Sequence, residues 1–341
     1  MPKKVTLKDL AAEAGVSLMT VSNVINGNHA RVSEATVARV REIADQRGYV
    51  ANASARSLAA SSSHMIGLLV PSSKSEDLLD LNPHMVQLFG FLERALRQRG
   101  YHLLFRGISE LGDIDVATRS WNLDGTVLLS FIDEDVDRLG PQHETPIVAL
   151  DSYSANPHTT GVRSDDYAGG RLAAEHLLAL GHRRVGFASP GFTEVGLVRQ
   201  RFNGFKAALD TAGVRWNPRD RFDADVSWDA GYALGRRLAR RASRPSAVFA
   251  TADILAAGIV AGLQAEGLGV PDDMSVVGFD DIDLARYITP ALTTVRQDVE
   301  AKGTYAAGLL LEEISGERPP GQAVVIPVDL LARRSTGPAP A

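Results

Sequence analysis

Between residues 6 and 48 apolar side chains return every three or four positions, the spacing of short amphipathic helices. Thr6, with Asp9 three residues on, has the form of a helix start; Leu7, Leu10, Ala11 and Ala14 share one face, and Gly15 supplies a left-handed stop. Ser17 caps a second predicted helix that turns Val21, Val24 and Ile25 inward and Leu18, Met19, Ser22 and Asn23 outward. A third runs from Ser33, with Val37, Val40, Ile43 and Ala44 inward, to Gly48. Two short helices separated by Gly15, Val16 and Ser17 have helix-turn-helix spacing, although a generic helical hairpin shares it. The outward face of the second helix favours the first reading. Leu18 and Met19 are apolar where solvent favours charge; such side chains can meet thymine methyls in a major groove, and Asn23 can pair bidentately with adenine.

Residues 52–63 are alanine- and serine-rich, too short for a stable isolated helix. They read as a spacer, or as a hinge that folds on DNA with Leu58 wedged in the minor groove and Arg56 near phosphate. From Met65 the period changes. Apolar runs at 66–70, 102–105, 126–129, 147–150, 185–188, 247–250 and 275–279 alternate with amphipathic segments, which predicts repeated strand–helix units and parallel sheets. Ligands gather at strand C-terminal ends in such sheets. The polar residues there are Ser72, Ser73, Ser130, Asp151, Ser189, Thr251, Asp253, Asp280 and Asp281.

Charge sharpens this division. The net charge is −5; residues 1–63 hold eight Lys/Arg against five Asp/Glu, +3, which leaves −8 for the remainder. A basic head on an acidic body suits a modular DNA binder. There is no cysteine, no secretory-type apolar segment near the start and no apolar stretch of membrane-spanning length, so a cytoplasmic protein is expected. No Gly-Lys dipeptide, dinucleotide-type glycine pattern, nucleophile elbow or zincin motif occurs, so no enzyme activity, metal or cofactor is expected. The paired carboxylates 165/166, 272/273 and 280/281 read as loop or capping groups.

The tract VTLKDLAAEAGVSLMTVSNVING at 5–27, with Arg31, Ser33, Tyr49, Asn52 and ARSL at 55–58, resembles the headpiece of the lactose-repressor (LacI/GalR) family. The similarity continues through IGLLVP at 66–71, HLLALGHRR at 176–184, VVGFDD at 276–281 and TTVRQD at 293–298. The resemblance implies an all-α helix-turn-helix headpiece (1–50) and a hinge helix (51–63). It also implies an α/β two-lobed, periplasmic-binding-protein-like sensor (64–336), with lobes at 64–161 plus 293–320 and 162–292 plus 321–336, and a short tail (337–341). It implies a repressor reading a pseudo-palindromic, double-stranded operator as a homodimer, with affinity modulated by a small effector, a sugar or sugar derivative, between the lobes. The DNA-contacting positions would be Thr6, Ser17, Leu18, Met19, Thr20, Ser22, Asn23, Asn26, Arg31, Asn52, Ala55, Arg56 and Leu58. The effector-contacting positions would be Ser72, Ser73, Asp151, Arg201, Trp228, Asp253, Asp280 and Gln297. Asn23 stands where the family often carries Arg, and Ala252 where relatives place a ligand-contacting Asn. Two alternatives remain: a co-repressor-dependent regulator that responds to a non-sugar metabolite, and a solute-binding protein, which would need export and no head.

Overall fold

The computed structural model describes residues 5–50, 62–72, 82–141, 143, 145–191 and 195–340. The hinge positions Asn52, Ala55, Arg56 and Leu58, and Ser73, lie outside the described residues. The chain divides into two compact units, Met1–His64 and Met65–Ala341.

The head contains α1 (Leu7–Ala14), α2 (Leu18–Ile25) and α3 (Glu34–Gln46). Thr6 and Asp9 form a reciprocal capping box, Ser17 accepts from the Thr20 N–H, and Ser33 accepts from the Thr36 N–H. Gly15 ends α1 at φ 63°, the left-handed conformation expected for it. Leu10, Ala11, Ala14, Val21, Val24, Val40 and Ala44 form the core, with Val37 and Ile43 packed at its edge.

The body holds two six-stranded sheets of matching topology. The first contains β1 (Met65–Pro71), β2 (His102–Ile108), β3 (Gly125–Leu129), β4 (Ile147–Leu150), β5 (Thr160–Ser164) and β11 (Ala323–Ile326), in the order β11-β5-β4-β3-β1-β2. The second contains β6 (Val185–Ser189), β7 (Arg221–Asp223), β8 (Ala247–Ala250), β9 (Ser275–Asp280), β10 (Thr293–Gln297) and β12 (Val328–Leu331), in the order β12-β10-β9-β8-β6-β7. All pairings are parallel except β10 with β12. The central strands are buried along their length, as parallel strands covered on both faces must be.

Of the helices, those that position the site are α4 (Pro83–Arg97), α6 (Asp133–Asp137), α7 (Asp166–Ala179), α8 (Leu197–Thr211), α9 (Trp228–Ala239), α10 (Asp253–Ala265) and α12 (Val299–Ile314); α5 (Gly112–Ser120) and α11 (Leu284–Tyr287) lie between them in sequence. Two glycines control one of these contacts. A Cβ on Gly170 would lie 1.9 Å from the Arg201 carbonyl oxygen, and one on Gly204 would lie 1.9 Å from that of Tyr167. Helices α7 and α8 therefore touch backbone to backbone.

The lobe boundaries differ from those expected. Strand β5 stays in the first sheet, so the first crossing follows residue 164 rather than 161. Strand β10 pairs with β9, which puts 293–297 in the second lobe; the chain crosses afterwards, and α12 packs on α4. Strand β11 pairs with β5, so the last crossing falls between Ile326 and Val328. Alternating apolar runs mark strands but carry no information about which sheet accepts them. Residues 337–340 are not a free tail either: the Gly337 N–H donates to Ser275, the Ala339 N–H donates to the Leu180 carbonyl, and buried His182 contacts Ser246, Ser275 and Gly337.

Candidate functional site

In the head, burial of Val21 and Val24 turns the opposite side of α2 to solvent, leaving Leu18 45% and Met19 71% exposed. Ser22 and Asn23 flank them half-buried, Asn26 follows as the C-cap and donates to Ser22, and Arg31 is exposed in the next loop. Thr6, Ser17 and Thr20 are tied into the caps of α1 and α2, with Ser17 and Thr20 hydroxyls 2.9 Å apart. The face is continuous, apolar at its N-terminal end and amide-bearing beyond. Apolar and amide groups are the types that can meet base edges, whereas contact with phosphate alone calls for cations.

In the body, Asp151 follows the last residue of β4, while β5, β9 and β10 end at Ser164, Asp280 and Gln297. These side chains form one buried network. Gln297 donates to Asp280 (2.7 Å) and accepts from Ser164 (2.6 Å) and Lys302 (2.7 Å); Lys302, fully buried on α12, also donates to Asp151 (2.6 Å). Arg201 on α8 donates to Asp166 (2.8 Å) and to the Thr251 carbonyl (2.6 Å), with its guanidinium 3.6 Å above the Phe279 ring. Tyr153 of the first lobe donates to the same Asp166 (2.8 Å). Hydrogen bonds thus bridge the lobes at Ser164–Gln297 and Tyr153–Asp166.

Charge states follow from this packing. Burial pushes the Asp151 carboxyl up, but Lys302 and its neighbours outweigh that and hold it below the ordinary carboxylate value. Burial would lower Arg201, yet Asp166 and Asp280 keep it above its usual value, firmly protonated. His84, buried on α4 with Nδ1 3.9 Å from Asp280, is pushed down mainly by burial and is neutral at pH 7. The backbone is strained at the same strand ends: Ser130, Asp151, Asp280 and Asp281 have φ of 64°, 57°, 121° and 57°. Non-glycine residues adopt such angles at a cost, which concentrates at ligand sites.

A cleft of about 380 Å³ opens between the lobes, lined by Ser130, Phe131, Asp133, Glu134 and Asp151 from one side and by Val195, Leu197 and Val198 from the other. Asp133 Oδ1 accepts from Ser152 and from the Tyr153 N–H, while its buried Oδ2 has no partner among the described residues. A larger groove of about 900 Å³ includes Asp280 and Gln297, and both of its arginines are already paired, Arg296 with Asp329 and Arg286 with Asp281. The smaller cleft is the better ligand site because it retains an unpaired buried acceptor.

The expected effector residues separate into three groups. Asp151 lines the cleft, and the network reaches the cleft through it; Arg201, Asp280 and Gln297 belong to that network. Ser72 stands at the end of β1 beside Ser109, and Trp228, 43% exposed, stacks on Tyr232 at the start of α9. Asp253 does not face a ligand. It is fully buried, accepts from Thr294 and the Ile282 N–H, and fixes the turn after β9. Lys302, Asp166, Asp133 and His84 were not expected in the site.

Comparison with known proteins agrees with both units. Residues 6–52 match the family model described as bacterial regulatory proteins, lacI family, and residues 174–336 match a periplasmic binding protein-like domain. Full-length relatives include "HTH-type transcriptional repressor PurR" of Mannheimia succiniciproducens, 31% identical over 97% of this chain and 98% of that protein, and of Serratia proteamaculans, 32% identical over 98% of each. Similar solved structures include the Lac repressor dimer bound to operator and the anti-inducer ONPF (TM-score 0.86, 26% identity, 98% of this chain and 100% of that one). A CelR–cellobiose complex is also similar (TM-score 0.72, 29% identity, 97% of this chain and 100% of that one).

Proposed function

The chain belongs to the lacI family of bacterial regulatory proteins and is a DNA-binding transcriptional repressor, and from that premise we propose that it reads its operator as a homodimer under control of an uncharged small effector held in the interlobe cleft. The observation that carries the DNA reading is the exposed Leu18–Met19 edge of α2, an apolar surface with a use in a major groove and a cost in water. Binding of one operator by two copies is supported by the dimeric, operator-bound Lac repressor, which this chain resembles over nearly its whole length.

The cleft supports the effector class. Its lining includes Asp133, Glu134 and Asp151 and no lysine or arginine, among the described residues. A phosphorylated or carboxylated ligand would meet like charge, whereas hydroxyl or N–H donors would satisfy the open Asp133 Oδ2. Sugars of the kind named for the solved relatives, cellobiose and ribose, meet this requirement. So does a purine base, which the name PurR suggests. The effector acts only through its differential affinity for the two states of the body, so both induction and co-repression fit the site.

The test is fluorescence anisotropy of fragments from upstream of the protein's own gene, titrated with neutral and phosphorylated pairs (ribose and ribose 5-phosphate, guanine and GMP). A change in operator affinity with a neutral member and none with its phosphorylated partner is expected. A response confined to phosphorylated members contradicts the effector class, and absence of sequence-selective binding contradicts the operator reading.

A further inference from the structure

At the opposite end of the second lobe from the interlobe cleft, beside the N-terminal end of β6, lies a concavity of about 420 Å³. It is lined by Arg183, Arg184, Arg215, Arg219 and Arg241, with Asp220 the one carboxylate among its lining residues. Five arginines against one aspartate give +4, on a body whose net charge is −8. We propose that this pocket is a second small-molecule site, for a phosphorylated metabolite, separate from the effector cleft.

The arginines fall into two sets. Arg184 is fixed: it forms a two-pronged pair with buried Asp220 at 2.7 and 2.9 Å and donates to Ser243 at 2.6 Å. Arg241 is held over the Phe222 ring and donates to the Arg219 carbonyl, with its other end 3.6 Å from Asp220. Arg183 caps the end of α7 through the Leu178 carbonyl. These three have structural occupations. Arg215 and Arg219 are exposed at the rim, and their guanidinium groups have no hydrogen-bond or carboxylate partner among the described residues. The single carboxylate is already shared by Arg184 and Arg241, so two cations at the rim repel their neighbours without compensation.

A multivalent oxyanion removes that imbalance. Guanidinium forks match phosphate geometry; Arg215 and Arg219 have theirs to spare, while Arg184 and Arg241, already held in place, keep the pocket positive at no further entropic cost. The remaining lining adds an apolar part, Val185, Leu209, Val214 and Trp216, and two polar residues, Asn217 and Ser243, which suits a ligand with both polar and apolar groups. The volume falls in the range of about 300–1,000 Å³ typical of small-ligand pockets. Its concave form suits a compact anion better than duplex DNA, whose phosphates are spread along a rod.

Isothermal titration of the full chain with pyrophosphate, AMP and adenosine tests the proposal, alongside an Arg215→Glu/Arg219→Glu double variant and, as a control at the other site, Asp133→Asn. Pyrophosphate and AMP are expected to bind one per chain more tightly than adenosine. The double variant is expected to lose at least about tenfold in affinity for both anions, the fold-change expected when charge-assisted hydrogen bonds are removed. Asp133→Asn is expected to leave both unchanged. Both substituted arginines are exposed, so the double variant should fold; circular dichroism checks that. No anion binding at millimolar concentration, or binding that the double variant retains, overturns the proposal. Capture of duplex DNA or an acidic peptide at these arginines, without the small anions, also overturns it.

Discussion

Replacing Lys302 by methionine keeps the length of the side chain and removes its charge, leaving Asp151 buried beside an apolar group. Lys302 Nζ has no solvent access and lies 2.6 Å from Asp151 and 2.7 Å from Gln297, so two hydrogen bonds and an ion pair disappear together. Breaking a buried pair by removing one partner typically costs about 3–5 kcal/mol. The lower figure applies here because the Asp151 side chain stays 14% exposed, and water in the cleft can partly solvate the orphaned carboxylate. The assay is urea unfolding followed by tryptophan fluorescence; Trp121, Trp216 and Trp228 all lie in the body, so the signal excludes the head. With a urea slope of about 3 kcal/mol per molar, the midpoint should fall by about 1 M. Adding Asp151→Asn removes the stranded charge and should recover part of the loss. The pH dependence gives an independent check. Lys302 holds Asp151 below its ordinary carboxylate value of 3.8, so this pair's stabilisation is present above that value and lost as pH falls through the lower folded value; the variant should lack that acid-side loss. A cost below about 1 kcal/mol, or no rescue by Asp151→Asn, would refute the network as described.

Three further outcomes are expected. Gly170→Ala should destabilise the body by about 3 kcal/mol or more, because its Cβ would fall 1.9 Å from the Arg201 carbonyl, whereas Gly112→Ala, which meets nothing within 4 Å, should be nearly neutral; parallel urea curves compare them. Arg201→Ala should reduce stability as well as effector response, since it strands buried Asp166, while Arg201→Lys should retain more of the stability than of the response; calorimetry and anisotropy separate the two. His84 titrates below its ordinary 6.5, so the folded state resists protonation and stability should fall as pH drops through 6.5 toward the lower folded value; His84→Leu should flatten that part of a stability–pH curve.

Local structure was readable from the chain wherever the signal was local. Thr6, Ser17 and Ser33 announce helix starts through side chains that cap within three residues, and Gly15 announces a stop through a left-handed conformation that costs glycine less than any other residue. Polar residues at strand ends pointed to Asp151 and Asp280, and the family resemblance added Gln297; the fold does bring the three together. Lys302 was not readable, because a lysine in an amphipathic helix normally faces solvent and its partner Asp151 is far away in sequence. The close approach of α7 and α8 at Gly170 and Gly204 leaves no periodic trace, since it depends on missing side chains. Asp253 shares the strand-end signature of a ligand acceptor, yet Thr294 and Ile282 consume it locally, and only the geometry separates the two uses. The placement of β10 beside β9 and of β11 beside β5 is a tertiary property that alternation along the chain does not encode.

The most direct measurement is selection of duplexes from a randomised pool by the purified full chain, followed by anisotropy on the selected sequence at several salt concentrations, with Leu18→Ala/Met19→Ala alongside. A recurring, inverted half-site is expected, bound at least about a thousandfold more tightly than random duplex. The double variant should lose most of that preference while keeping the salt-sensitive background grip and its folding stability. If no sequence is enriched, or the variant discriminates as well as the parent chain, α2 does not read bases.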